Sequence, residues 1–192
     1  MKVVAVVGMA GSGKSEVARV FEEHGFKTVR FGDITDEELN NRGLEPNEEN
    51  ERNIREELRK KHGMAAYAKL SLPRINSALE SSDVVVDGLY SWEEYSLLKE
   101  FYGRRLKVLA VWSSPAARHA RLAHRAERPL MPTEAGSRDK AEIENINKGG
   151  PIAMADFAIV NQASLGELKE EAKRIISRLA NEEEDKKTEK NR

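Results

Sequence analysis

The sharpest chemical signal in the sequence is Gly8-Met9-Ala10-Gly11-Ser12-Gly13-Lys14-Ser15, which fits the pattern G-x-x-x-x-G-K-[ST]. Glycines let the backbone wrap around a phosphate chain with its N–H groups turned inward and no Cβ in the way. A helix that starts near Gly13 adds its positive end to the same point. Lys14 has the reach to touch the outer phosphates, and the Ser15 hydroxyl is placed to ligate the Mg²⁺ that accompanies a nucleotide. An ordinary glycine-rich turn is the alternative. The β-branched run Val3-Val4-Ala5-Val6-Val7 before the loop and the amphipathic segment 16–23 after it argue against that alternative.

Three further features could carry chemistry. The run Asp83-Val84-Val85-Val86-Asp87-Gly88 is an apolar strand ending in an acid. In a doubly wound sheet that end lies beside the phosphate loop, so Asp87 is a candidate to hold the metal or polarise an attacking group; capping the next turn is its bland role. Asp33, in Phe31-Gly32-Asp33, follows a second short strand and is a candidate base or acceptor contact, with helix N-capping as the alternative. Arg118, Arg121, Arg125 and Arg128 recur at intervals of three, four and three. On one continuous helix they share a stripe about 80° wide. Arginine forks suit phosphate oxygens, so the segment reads as a basic lid that closes over a polyphosphate. A solvated arginine face is the alternative, and Arg118, nearest the sheet, is the member expected to be structural.

Positioning these residues requires a parallel sheet covered by helices, because short β-branched runs alternate with amphipathic stretches. Strands are predicted at 2–7, 27–30, 84–87, 106–112 and 157–160, several of them continuously apolar as strands buried on both faces should be. A highly charged insert at 35–81 reads as three or four helices, broken at Gly43-Leu44-Glu45-Pro46, at His62-Gly63 and before Pro73. A second insert spans 114–155. Ser164 caps a last helix that decays into 181–192, a charged tail expected to be disordered. The expectation is one domain over 1–180.

Composition narrows the partners. The 192 residues carry 32 basic and 33 acidic side chains, so no global field recruits nucleic acid or an anionic membrane. No apolar stretch approaches the ~20 residues of a membrane span, and no signal peptide is read at the start. With no cysteine the chain has neither disulfides nor thiolate metal sites, which suits a cytoplasmic setting. The abundance of Glu, Lys and Arg matches the bias of hyperthermophile proteins. The four histidines show no metal-ligand spacing, and Trp92 and Trp112 are expected to be packing residues.

The phosphate loop, the insert after strand two, the acid-ended third strand and the Arg-rich insert together resemble the nucleoside monophosphate kinase superfamily. Phe31-Gly32-Asp33, Arg42-Gly43-Leu44-Glu45-Pro46, Val86-Asp87-Gly88 and Ala155-Asp156-Phe157-Ala158-Ile159-Val160-Asn161 resemble in particular the dephospho-CoA-kinase-like proteins, including the uncharacterised archaeal adenylate-kinase-related group. The resemblance covers most of 1–179. It implies a five-stranded, three-layer αβα P-loop fold with an acceptor-binding insert and a lid, using ATP and Mg²⁺ on a small-molecule acceptor. Carried over by position, Gly8 to Ser15 bind the ATP phosphates, Ser15 and Asp87 the metal, and Arg121 the nucleotide. Arg125 and Arg128 become lid arginines, and Asn161 lies near the adenine. Such kinases often place an Arg soon after the second strand for the acceptor's phosphate, but here that stretch is Asp33-Ile34-Thr35-Asp36-Glu37-Glu38. Arg42, Arg52 and Arg55 are the candidate replacements. The expected activity is γ-phosphoryl transfer to a nucleoside monophosphate. The alternatives are dephospho-CoA kinase, whose acceptor is a hydroxyl, and a regulatory ATPase with no small acceptor.

Overall fold

The computed structural model describes residues 1–126 and 129–190, with side chains described as far as Asn181. In chain order the elements are β1 (Val3–Val7), α1 (Lys14–Glu23), β2 (Lys27–Arg30), α2 (Gly32–Arg42), α3 (Glu48–His62), α4 (Ala66–Leu79) and β3 (Val84–Leu89). They are followed by α5 (Trp92–Tyr102), β4 (Leu106–Trp112), α6 (Pro115–Ala123), α7 (Pro132–Glu144), α8 (Gly149–Ala153), β5 (Phe157–Val160) and α9 (Leu165–Lys190). The five strands form one parallel sheet in the order β2-β3-β1-β4-β5.

Every residue of β1 is buried, because alternate side chains feed two separate cores. Val3, Ala5 and Val7 pack with Ile54, Tyr67, Ile75 and Leu98 of the helical insert and α5. Val4 and Val6 face Val17, Val20 and Phe21 of α1 and Leu168, Ala172 and Ile175 of α9. These are the three layers expected of an αβα P-loop fold. The order reverses around β1, with β3 on one side and β4 on the other, so the crevice that this topology opens lies at the end of β1, where the Gly8 loop begins. Opposite it, the β1–β3 register slips: Val6 faces Asp87 while Val7 faces Leu89, skipping Gly88, whose φ is 109°. The bulge re-aims the chain just after Asp87.

Several local readings are corrected. The insert holds three helices with the expected breaks at 43–46 and 62–63, but there is no break before Pro73, which α4 carries inside it. An interior proline costs a helix roughly 3 kcal/mol; here Ser71 and Ile75 on either side of it are fully buried, and that packing overrides the breaker. Helix α6 ends at Ala123, so Arg125 lies beyond it and does not share the helix that carries Arg118 and Arg121. The charged stretch 181–190 continues α9 as helix instead of leaving order, in keeping with its many Glu and Lys, which are good helix formers. Trp92 and Trp112 are 41% and 48% exposed, and Trp92 packs at the surface against Tyr95, with ring centres 5.2 Å apart, and against Gly150. Among the described residues no helix is long and apolar enough to cross a membrane.

The helix that carries Lys14 and Ser15 is held by Phe21, which is fully buried and meets Phe26 edge-on with ring centres 5.0 Å apart. Phe21→Ala is expected to lower unfolding free energy by about 3–5 kcal/mol in denaturant titration. A loss below about 1 kcal/mol would show that this contact does not anchor α1.

Candidate active site

The loop between β1 and α1 is built by close backbone approach. A Cβ on Gly11 would lie 2.7 Å from the Arg118 carbonyl oxygen, and one on Gly13 would lie 2.5 Å from Asn161 Nδ2. Both residues also have positive φ, 78° and 101°. Four consecutive carbonyls of the loop receive side-chain donors. Lys14 Nζ donates to Met9 O at 3.1 Å, Arg118 Nη1 to Ala10 O at 3.1 Å, Arg121 Nη1 to Gly11 O at 3.5 Å and Asn161 Nδ2 to Ser12 O at 2.8 Å. With its acceptors occupied, the loop is left with donors to offer an anion, as a phosphate nest requires.

The next residue completes the site. Ser15 Oγ donates to Asp87 Oδ2 at 2.8 Å. Two oxygens at this separation match neighbouring corners of a Mg²⁺ octahedron, about 3.0 Å apart for metal–oxygen bonds of about 2.1 Å. Among the described residues no group of three or more His, Cys, Asp or Glu could hold an ion. The pair therefore suits Mg²⁺ that arrives with phosphates and keeps waters, and does not suit a protein cage.

Ser15, Asp87, Lys14 and Arg125 all face one cavity of about 860 Å³, with Ala10 and Gly11 on its loop side. Gly8, Met9, Ser12 and Gly13 form the rest of the loop. The cavity extends beyond the loop to α3, where Arg52, Arg55 and Arg59 line it, and to Arg138, Glu142 and Lys148 of the second insert. Arg55 is held by Glu48 at 2.8 Å and Glu51 at 3.1 Å, and Arg138 reaches the same Glu48 at 3.0 Å, tying α7 to α3. Burial pushes the Lys14 ammonium down to about 7, with Lys148 adding to the effect. Glu142 is also lowered, to about 2: burial opposes its ionisation, but Lys148, Arg138 and Lys14 outweigh it.

Some expected site residues stand elsewhere. Asp33 does not line this cavity; it pairs with Arg30 at 3.0 Å and faces a shallow groove beside Arg74. Because α2 starts at Gly32, Asp33 falls in the first helical turn and is not an N-cap, and Thr35 and Asp36 are the residues turned toward the cavity. Arg121 and Asn161 grip the loop's outer side, Arg121 also through Ser113 Oγ at 2.9 Å and the Asn161 carbonyl at 3.0 Å. Of the candidate acceptor arginines, Arg52 and Arg55 reach the cavity, whereas Arg42 is spent on Glu38 and Glu57 at the surface. Arg128 lies outside the described residues.

Sequence comparison decides the family. Relatives from Thermococcus sibiricus and Hyperthermus butylicus, each called a UPF0200 protein, are 34% and 37% identical over 92% of this chain and 95% and 94% of their own lengths. The chain belongs to the UPF0200 family. Its residues 4–146 match the model of the AAA domain family. Both relatives come from thermophilic archaea. The fold is that of P-loop kinases. It matches a gluconokinase from Sinorhizobium meliloti with TM-score 0.62 at 19% identity, covering 94% of both chains. It also matches the dephospho-CoA kinase of Campylobacter jejuni with TM-score 0.54 at 15% identity, covering 92% of this chain and 96% of that one.

The scaffolding role of Arg118 goes further than its sequence position suggested. Its guanidinium donates to both oxygens of Asp139 at 2.7 Å each, and His119 Nε2 lies 2.9 Å from Asp139 Oδ2. Although burial opposes it, these hydrogen bonds hold the Asp139 carboxyl below its ordinary range. Removing one partner of a buried pair costs about 3–5 kcal/mol. Arg118→Met is expected to destabilise at the lower end of that range, since His119 remains, and to speed amide exchange at residues 9–12. Unchanged exchange there would mean that Arg118 does not hold the loop.

Proposed function

We propose that the chain is a phosphotransferase that moves the γ-phosphoryl group of ATP to a small phosphate-bearing acceptor, most simply a nucleoside monophosphate. One observation carries this reading. The loop, the Ser15–Asp87 pair and the arginine row of α3 share a single cavity, with room beyond the loop for a second substrate. A nucleotide switch has no need of that second compartment.

In this reading the loop amides take the inner phosphates, and Lys14 turns from the Met9 carbonyl to the migrating group. A Mg²⁺ held by Ser15 and Asp87 would neutralise phosphate charge and fix orientation. The base lies on the Arg121–Asn161 side, and Arg125 closes the cavity mouth. An acceptor oxygen forms the new P–O bond as the bond to the leaving ADP oxygen breaks, so protein groups chiefly place and neutralise charge. A phosphate oxygen is already ionised and needs no base, which agrees with Asp33 lying outside the cavity. Asp36 does line it, and this supports a second reading in which the acceptor is a hydroxyl compound such as dephospho-CoA.

Purified protein supplied with Mg·ATP is expected to form ADP rapidly with one or more monophosphates, and slowly without an acceptor. Product with dephospho-CoA alone would favour the hydroxyl reading, and acceptor-independent hydrolysis would favour a regulatory ATPase. Lys14→Ala is expected to abolish transfer with little change in Tm; undiminished turnover refutes the assignment.

The depressed Lys14 also sets a pH dependence. A bound polyphosphate draws its pKa from about 7 back toward the ordinary 10.5. Between those values the complex holds more protons than the free protein, so binding takes up a proton and affinity falls as pH rises, by up to about tenfold per unit. Calorimetry in buffers of differing ionisation enthalpy should show this uptake at pH 8, and Lys14→Met should remove it.

A further inference from the structure

We propose that Lys148 is a second lysine of the phosphate site, the one that receives the outermost phosphate of a bound triphosphate. The inference rests on the kinase reading and adds a residue that motif spacing does not mark.

Lys148 sits between α7 and α8 with only 1% of its surface exposed, yet it lines the cavity that Lys14 lines. It is held at both ends by one residue. Its backbone N–H donates to the Glu142 carbonyl at 3.1 Å, and its Nζ lies 2.9 Å from Glu142 Oε2. The ammonium also stands 5.0 Å from the centre of the Tyr90 ring. The residue just before it, Asn147, has φ 51°, the one non-glycine residue with positive φ among those described. The chain thus accepts an uncommon backbone conformation at the turn that delivers this lysine.

Charge makes a purely structural role insufficient. Lys14, Arg138 and Lys148 converge on Glu142; Glu48 is shared between Arg138 and Arg55, Glu94 acts on Lys148 less than Glu142 does, and Asp87 is engaged by Ser15. Burial pushes the Lys148 ammonium down, with Glu142 acting against it and Arg138 reinforcing it. Gathering cations around a sheltered cavity is unfavourable unless an anion is to enter.

Position then says which anion. Tyr90 follows directly after β3, three residues beyond Asp87, and the ammonium above its ring is near enough to the Lys14 ammonium to push it down, so both lysines can meet a phosphate chain that the loop amides hold. Once those amides hold the inner phosphates, the outermost one must project into this space. Lys148 would therefore distinguish a triphosphate from a diphosphate, and would meet the group in transit to the acceptor.

The test is calorimetric binding of Mg·ATP and Mg·ADP to the full chain, to Lys148→Met, and to Lys148→Met combined with Glu142→Gln. The double variant removes the pair together and so keeps the experiment interpretable if the single variant is unstable. Both variants are expected to bind ATP about ten- to a hundredfold more weakly, as for loss of a charge-assisted hydrogen bond, while ADP affinity changes less than about threefold. Lys148→Arg should recover part of the preference. Equal losses for the two nucleotides, or an unchanged ratio, would overturn the role of Lys148 and leave the kinase reading standing. If the unaltered chain bound neither nucleotide, both would fall.

Discussion

The site depends on a loop whose carbonyls are held outward. A buried peptide must satisfy both its donor and its acceptor, and around Met9 to Ser12 the acceptors are met by Lys14, Arg118, Arg121 and Asn161. Those donors come from α1, from α6 and from the residue after β5, so three separate elements converge on four peptides. The glycines follow from the same constraint. Where Arg118 and Asn161 press on the backbone, a Cβ has no room.

Around this loop the cavity is organised by paired charges. Glu48 serves Arg55 and Arg138, and Glu142 serves Arg138 and Lys148, so the two carboxylates chain α3, α7 and the α7–α8 turn together. Such a network is rigid while every member is partnered. In the proposed reading an incoming phosphate would compete for the same arginines and lysines.

Kinases with this fold differ in what they phosphorylate, and fold likeness at 15–19% identity carries no acceptor with it. In the kinase reading proposed above, the loop and the Ser15–Asp87 pair would serve the donor nucleotide. In the same reading the choice of acceptor would rest on side chains of α2 and α3, in the insert between β2 and β3, where both arginines and acids line the cavity.

Local pattern alone determined the phosphate loop, all five strands to within a residue or two, and the assignment of Asp87 to the loop's side of the sheet. Each depends on short-range rules: glycine spacing, β-branched runs buried on both faces, and strand order in a doubly wound sheet. Only tertiary structure decided which acid after β2 faces the cavity: α2 starts at Gly32, its packing turns Asp36 toward the cavity, and Asp33 is left beside Arg30. It likewise decided that Pro73 is carried inside a helix, that the arginine series breaks after Ala123, and that Arg118 and Asn161 serve the loop's outer face. Lys148 had no motif to announce it. These outcomes come from contacts between segments as much as 149 residues apart, whose energies no local window contains.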